Sequence, residues 1–82
     1  MKTVSYADEA AAALLKHRNE AKRIRAKIAD YAADPAARAS WATELVGRDG
    51  KRIRIGDFRA VIREDETTVT VVKIAPRGEV YD

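Results

Sequence analysis

The sequence predicts an α+β fold in which a small, mostly antiparallel sheet packs on an N-terminal helical hairpin, in the order β-α-α-β-β-β. In the first half, Leu14, Ile24 and Ile28 recur at helical spacing, and charged residues fall between them. In the second half, short alternating and β-branched runs are separated by glycine-rich or acidic turns, which is typical of strands. A chain of 82 residues has room for one core, so we expect residues 1–82 to form a single domain.

The chain begins with a predicted strand that leads into helix. Residues 2–6 alternate polar and apolar side chains, and Asp8 is a candidate N-cap for the alanine-rich segment that follows. Amphipathic spacing predicts helix from residue 8 to residue 33. The polar run at residues 17–20 interrupts this pattern, which favours two helices with Asn19 as the candidate cap of the second.

The helical region gives way to a connection. Pro35 ends the second helix, because proline disfavours helical geometry in the residue before it. Residues 36–50 are predicted to be a mixed connection in which Trp41 and the pair at 45–46 pack on the helices. The Asp-Gly step at residues 49–50 predicts a tight turn at its end.

Three further strands are predicted, over residues 52–55, 58–63 and 68–75. The acidic run at residues 64–66 forms the turn between the last two, and Pro76 ends the last strand.

Strict alternation in the first of these strands separates its side chains onto two faces. Ile53 and Ile55 fall on one face, and Arg52 and Arg54 fall on the other. We expect the helices to cover the isoleucines and to leave the two arginines on an open face of the sheet.

Composition narrows the classes of function. The absence of cysteine removes disulfides, thiolate metal sites and cysteine nucleophiles, and it fits a reducing cytoplasm. No apolar run is long enough to span a membrane, so we expect a cytoplasmic protein with no membrane partner. The net charge of +3 is compatible with a polyanionic partner, and many basic residues of the second half are expected to form a one-sided basic surface.

A metal site or a cofactor is not predicted. His17 is the only histidine, and its charged neighbours on a helix predict a surface position. The acidic residues 64–66 point in different directions in a turn and are expected to be solvated. Trp41 is predicted to be packing material rather than a base-stacking platform.

Basic residues of the predicted strands carry the main functional hypothesis. Arg59 lies across a short turn from Arg54, while Arg77 and Tyr81 follow the last strand. Several guanidinium groups on one face repel one another unless an anion is shared between them, so such a cluster indicates a phosphate or carboxylate site. The alternative is a set of scattered, solvated arginines, each of little energetic consequence.

The segments 51–62 and 72–81 carry a resemblance to a known family. The first, KRIRIGDFRAVI, is similar to the central motif of RelE-type toxins, and the second, VKIAPRGEVY, resembles their closing strand and terminal Arg and Glu-Val-Tyr elements. The chain is therefore identified as a member of the RelE/ParE superfamily of toxins from type II toxin-antitoxin systems, in its RelE-like branch.

The resemblance implies a toxin that inhibits translation as a metal-independent mRNA endoribonuclease on the ribosome. The 2′-OH of a ribose would attack the adjacent phosphate and give a 2′,3′-cyclic phosphate, with arginines stabilising the phosphorane and Tyr81 acting as base or as a nucleobase stacker. The implied partners are a cognate antitoxin, in a toxin-antitoxin hetero-oligomer, and the ribosome with its mRNA. By motif position the catalytic residues would be Arg54, Arg59, Arg77 and Tyr81, and the RNA-binding residues would be Lys51, Arg52, Arg48 and Lys73.

Two other functions remain open at the level of sequence. Members of the ParE branch keep the fold and the antitoxin partnership, but they inhibit DNA gyrase and cut nothing. A plain nucleic-acid or protein binding module would show salt-sensitive polyanion binding without toxicity. The ribonuclease is favoured by the presence of Arg52, Arg54, Arg59, Arg77 and Tyr81, although fold alone does not decide function.

Overall fold

The computed structural model describes residues 1–78, and it confirms the predicted α+β class and element order with one strand added. The added strand, β2, lies in the segment that was predicted to be an irregular connection. The elements in chain order are β1 Thr3–Tyr6, α1 Asp8–Lys16, α2 Arg18–Ala33, a 3₁₀ turn Ala39–Trp41, β2 Ala42–Glu44, β3 Lys51–Ile55, β4 Phe58–Glu64 and β5 Thr68–Pro76.

The strands form one mixed five-stranded sheet in the order β1-β5-β4-β3-β2. Strands β2 to β5 pair antiparallel with their neighbours, while β1 pairs parallel with β5. A parallel pair requires a long crossover, and in this chain the helices and the antiparallel strands lie between its two members. The β4–β5 register shifts at Val61 and Ile62, which marks a bulge at the middle of the sheet.

The helices cover one face of the sheet, as the alternation in β3 predicts. Ile53 and Ile55 are 0% and 1% exposed, whereas Arg54 on the opposite face is exposed. The core joins both helices to the three central strands. Its buried members are Ala10, Leu14, Ile24, Ile28, Tyr31, Ala32, Ile53, Ile55, Phe58, Ala60, Ile62, Val69, Val71 and Ile74.

The helix boundaries differ from prediction at both starts. Asp8 is the first residue of α1, because Ala7 takes the extended backbone of the N-cap position. The second helix begins at Arg18, so Asn19 lies inside it and is not its cap. The break falls at His17, whose backbone is not helical and whose side chain makes no cap hydrogen bond.

His17 lies half-buried at the surface and makes one packing contact that the sequence did not predict. Its ring meets the ring of Phe58 edge to face, with the centroids 4.9 Å apart. This contact holds the junction between α1 and α2 against the start of β4.

Cationic side chains from the helical layer cover aromatic rings at both edges of the sheet. The Arg25 guanidinium lies 5.1 Å from the ring centre of Tyr6, and the Lys27 ammonium lies 4.4 Å from that of Trp41. Arg38 lies 5.0 Å from the centre of the same tryptophan ring. Trp41 is half-buried against the core, which confirms that it is a packing residue.

Residues 45–46 were predicted to pack on the helices, and this prediction was wrong. Val46 is 79% exposed, and Leu45 is buried without joining the cluster beneath the helices. Thr43 pairs with Arg52 on the open face, and alternation along the chain places Leu45 on that face as well.

No helix within residues 1–78 is both long enough and apolar enough to cross a membrane.

Candidate functional site

Two arginines face each other across the open face of the sheet. The antiparallel register of β3 and β4 pairs Arg54 directly with Arg59. Side chains in such a pair have Cβ atoms about 4.5–5.5 Å apart, and like charges at that position destabilise a sheet. Arg54 is exposed, and its Nε donates a hydrogen bond of 3.4 Å to the carbonyl oxygen of Gly56. The pair therefore places two guanidinium groups side by side at the end of the β3–β4 hairpin.

Arg77 joins this pair through the backbone. Its N–H donates a hydrogen bond of 2.7 Å to the carbonyl oxygen of Asp57, in the turn that connects β3 and β4. Arg77 is exposed. Three of the predicted catalytic residues, Arg54, Arg59 and Arg77, thus meet at one end of the sheet, and we call this group the arginine end.

Two of the predicted RNA-binding residues flank the centre of the open face. Val61 pairs with Arg52 on one side and with Lys73 on the other, so all three side chains project from the same face. Both basic residues are half-buried, which is usual for long side chains that lie along a sheet with the charged group toward solvent.

The loop between β2 and β3 brings Arg48 to the same face. A cleft of about 330 Å³ is lined by Arg48, Val61 and Lys73, together with Leu45, Val72, Arg63, Glu9 and Asp49. The cleft has an apolar floor and a rim that carries both signs of charge. Arg48 therefore lies beside Lys73, although the two are 25 residues apart in the sequence.

Lys51 is not brought to the open face. It shares the helix side of β3 with Ile53 and Ile55, and its ammonium forms an ion pair of 3.0 Å with Glu64. Lys2 binds the other carboxylate oxygen of Glu64 at 2.9 Å, and the Tyr31 hydroxyl donates to the oxygen that Lys51 contacts. We call these four residues, Lys2, Tyr31, Lys51 and Glu64, the Glu64 hub.

The contacts of the Glu64 hub keep the Glu64 carboxylate ionised. Burial opposes ionisation of Glu64, but hydrogen bonds from Tyr31, Lys2 and Lys51 outweigh it and lower its pKa to about 2. Burial, reinforced by the hydrogen bond to Glu64 and the charge of that carboxylate, raises the pKa of Tyr31. Tyr31 is consequently a hydrogen-bond donor and Glu64 an anion across the physiological range.

Tyr81, the fourth predicted catalytic residue, lies outside the residues that the structure describes. Within residues 1–78, no group of three or more histidine, aspartate or glutamate side chains is arranged to hold a metal ion.

One cation near this site was not predicted from the sequence. A Cβ built on Gly56 would lie 2.6 Å from a terminal nitrogen of Arg23, so the guanidinium of this α2 residue rests on the glycine of the β3–β4 turn. Arg23 also pairs with Glu20 one helical turn earlier. Gly56 has a φ of +60°, a conformation that favours glycine. Because glycine has no Cβ, the Arg23 guanidinium can approach its backbone closely. The Gly-Asp turn was visible in the sequence, but the helix residue that lies above it was not.

Comparison with known proteins gives a family and a fold. The profile of the family described as ParE toxin of type II toxin-antitoxin system, parDE, matches residues 4–81. A chain of the archaeal RelE-RelB complex from Pyrococcus horikoshii OT3 superposes with a TM-score of 0.71 at 21% identity, covering 96% of this chain and 98% of that one. A chain of the toxin-antitoxin complex RelBE2 from Mycobacterium tuberculosis gives 0.65 at 24% identity, covering 93% and 98%. No curated protein matches the sequence.

Proposed function

Because the chain belongs to the ParE toxin family of the RelE/ParE superfamily, and is thus a toxin of a type II toxin-antitoxin system, we propose that it cleaves mRNA on the ribosome. The observation that carries this proposal is the cross-strand pair of Arg54 and Arg59 on an open sheet face. Like-charged pairs at this position lower stability, and a bound phosphate would offset the repulsion.

The proposed reaction needs charge stabilisation more than any other contribution. The oxygen of a ribose 2′-OH attacks the adjacent phosphorus, the bond from phosphorus to the 5′-oxygen of the next nucleotide breaks, and a 2′,3′-cyclic phosphate and a 5′-hydroxyl result. Arg54, Arg59 and Arg77 would bind the non-bridging oxygens as negative charge develops on the phosphorane. Donors fixed in this way contribute several kcal/mol to such a transition state, with about 2.7–4 kcal/mol for a single group.

Proton transfer is the step for which these arginines are unsuited. Arginine stays protonated up to about pH 12, so it cannot accept the 2′-OH proton. Tyr81 is the proposed base, and it would need neighbouring cations to lower its pKa from about 10. A Tyr81→Phe variant that keeps full cleavage would leave this residue only a stacking role.

RNA binding is assigned to the basic residues around the cleavage site. Arg52 and Lys73 flank Val61, and Arg48 lines the cleft beside Lys73. A cognate antitoxin would cover the same face, as an acidic or extended segment complementary in charge to it. Both structural relatives are toxin-antitoxin complexes, which supports this partnership.

The test is to map mRNA 5′ ends by primer extension in a translating lysate that contains wild-type or Arg54→Ala toxin. The proposal expects discrete cuts in the reading frame, lost with Arg54→Ala. Intact mRNA in a lysate whose translation the wild type inhibits would contradict it.

Inhibition of DNA gyrase is the second candidate, because the matching family profile is described as a ParE toxin. It predicts that purified toxin blocks supercoiling of relaxed plasmid by gyrase while mRNA in the lysate stays intact. Supercoiling that proceeds unchanged in the presence of toxin would eliminate this candidate.

A further inference from the structure

The charge of this protein is not concentrated in the sheet. Residues 39–82 hold eight Lys or Arg and eight Asp or Glu, whereas residues 1–38 hold eight and five, so the net charge of +3 belongs to the helical half. The densest basic segment runs from residue 16 to residue 27, with six Lys or Arg and a single acidic residue, Glu20. A sheet-face site for RNA does not use this segment.

Five of these six basic residues are exposed. Within residues 1–78, three of the five, Lys16, Arg18 and Lys22, form neither an ion pair nor a contact with an aromatic ring. The other three of the six each contact another side chain: Arg23, which stays exposed, pairs with Glu20, and Arg25 and Lys27 lie over aromatic rings.

Helix stability does not explain this arrangement. Arg18 and Lys22 are four residues apart on α2, where like charges cost about 0.2–0.5 kcal/mol. Cations near the start of a helix also oppose its dipole. The junction beside them is open, since a surface cleft of about 310 Å³ is lined by residues 16–20.

Two contacts join this helical surface to the arginine end. His17, between Lys16 and Arg18, packs edge to face on Phe58, the residue before Arg59. Arg23 rests on Gly56, whose carbonyl oxygen accepts the hydrogen bond from Arg54 Nε. Basic side chains therefore continue from α2, over the β3–β4 turn, onto the open face of the sheet.

We propose that Lys16, Arg18, Lys22 and Arg23 form a phosphate-binding belt that extends the sheet-face site around the β3–β4 end and holds the backbone of the same RNA beyond the cleaved bond. The inference rests on the proposed function for its choice of RNA. The surface has the composition of a backbone-binding site, because exposed large apolar residues within residues 1–78 are confined to Met1, Leu15 and Val46, and none lies on α2. A protein partner would favour aromatic anchors and a low lysine content, whereas phosphates are bound by lysine and arginine without apolar contact.

The test compares two double variants that each lower the net charge by two. Arg18→Gln with Lys22→Gln removes two cations from the belt. Ala33→Glu with Ala36→Glu is the matched control, since both alanines are exposed, Ala33 at the last residue of α2 and Ala36 in the connection that follows it. Affinity for a fluorescein-labelled single-stranded RNA is measured by anisotropy across a salt series, and thermal unfolding checks each fold.

The belt variant is expected to bind the RNA roughly tenfold more weakly than the wild type does. The slope of log K against log salt should become less steep by about 1.4, which corresponds to the loss of two phosphate contacts at about 0.7 each. The control should keep the wild-type slope. Equal slopes and affinities in wild type and belt variant would overturn the proposal.

A second titration with a polyglutamate peptide separates RNA from an acidic protein partner. If the belt variant loses affinity for the peptide but keeps its affinity for RNA, the surface serves an acidic segment and the proposal fails. The cleavage assay reports separately on the proposed function, because a toxin that cuts no mRNA could still show the predicted change in RNA-binding slope.

Discussion

Lys51 and Arg54 stand three residues apart on β3, and their surroundings differ in every respect that matters for function. Lys51 belongs to the Glu64 hub, where one carboxylate receives two ammonium groups and a tyrosine hydroxyl. Arg54 belongs to the arginine end, where its cross-strand partner is another cation. The position of a carboxylate, rather than the type of basic residue, therefore separates a structural cation from one available to an anionic ligand.

The largest effect is expected when the sign of charge at the arginine end is reversed. Arg54→Glu places a carboxylate opposite Arg59, which replaces a repulsive cross-strand pair by an attractive one. We expect cleavage to fall by more than about 10²–10³-fold, the usual loss for one oxyanion donor, while the unfolding temperature stays equal or rises. Single-turnover cleavage and thermal unfolding measure the two effects.

Arg25→Glu is the control for Arg54→Glu. It makes the same change in charge at an exposed residue of α2 that lies over the Tyr6 ring, outside the arginine end and the cleft. Comparable loss of cleavage in both variants would mean that overall charge, rather than the arginine end, sets the activity.

Removing the charge of Glu64 should lower stability and leave cleavage unchanged, which is the reverse of the result expected for Arg54→Glu. Glu64→Gln leaves Lys2 and Lys51 without their carboxylate, and we expect the free energy of unfolding to fall by about 2–4 kcal/mol. Cleavage per folded molecule should be unchanged. Chemical denaturation of Glu64→Gln beside Glu66→Gln, an exposed neighbour, checks this, and equal stability of the two variants would rule out the structural role of the hub.

Acid should weaken the Glu64 hub. The pKa of Glu64 is about 2 in the folded protein against 4.5 as its ordinary value, so its contribution is complete above pH 4.5 and is lost as the pH falls from 4.5 to 2. A lowering of this size corresponds to roughly 3 kcal/mol. The wild type should therefore lose more stability over this range than Glu64→Gln does, as denaturation at several pH values would show. Parallel curves would contradict the lowered pKa.

A smaller effect is expected at the glycine that joins α2 to the arginine end. Gly47 and Gly56 both have positive φ, but a Cβ at Gly47 meets nothing within 4 Å while one at Gly56 meets Arg23. Gly47→Ala should cost about 1 kcal/mol from backbone conformation alone, and Gly56→Ala should cost more because Arg23 must move. The difference in unfolding free energy isolates the Arg23 contact, and equal costs would show that Arg23 gives way freely.

The sequence carried enough information for the fold because its two periodicities are clear. Alternation in β3 predicted buried isoleucines, and helical spacing predicted the buried stripe of Leu14, Ile24 and Ile28. Strand β2 escaped prediction because three residues are too few to show a period. The parallel pairing of β1 with β5 joins segments about 65 residues apart, which no local pattern encodes.

The candidate site was predictable only in part. The charge of the arginine end was visible, and the hairpin register that pairs Arg54 with Arg59 follows from the Gly-Asp turn. Lys51 was predicted to bind RNA, although alternation puts it on the helix side with Ile53. Its partner Glu64 is brought to it by the β3–β4 register, and Lys2 joins them from the other end of the chain. The contact of Arg23 with Gly56 depends on helix packing, which spacing in the sequence does not give.

The most direct test of the account measures cleavage and stability together for Lys51→Ala and Arg54→Ala. The account predicts that Arg54→Ala loses cleavage of ribosome-bound mRNA and keeps its free energy of unfolding, whereas Lys51→Ala loses stability and keeps cleavage per folded molecule. If Lys51→Ala instead abolishes cleavage in a protein of unchanged stability, the division between the Glu64 hub and the arginine end is wrong.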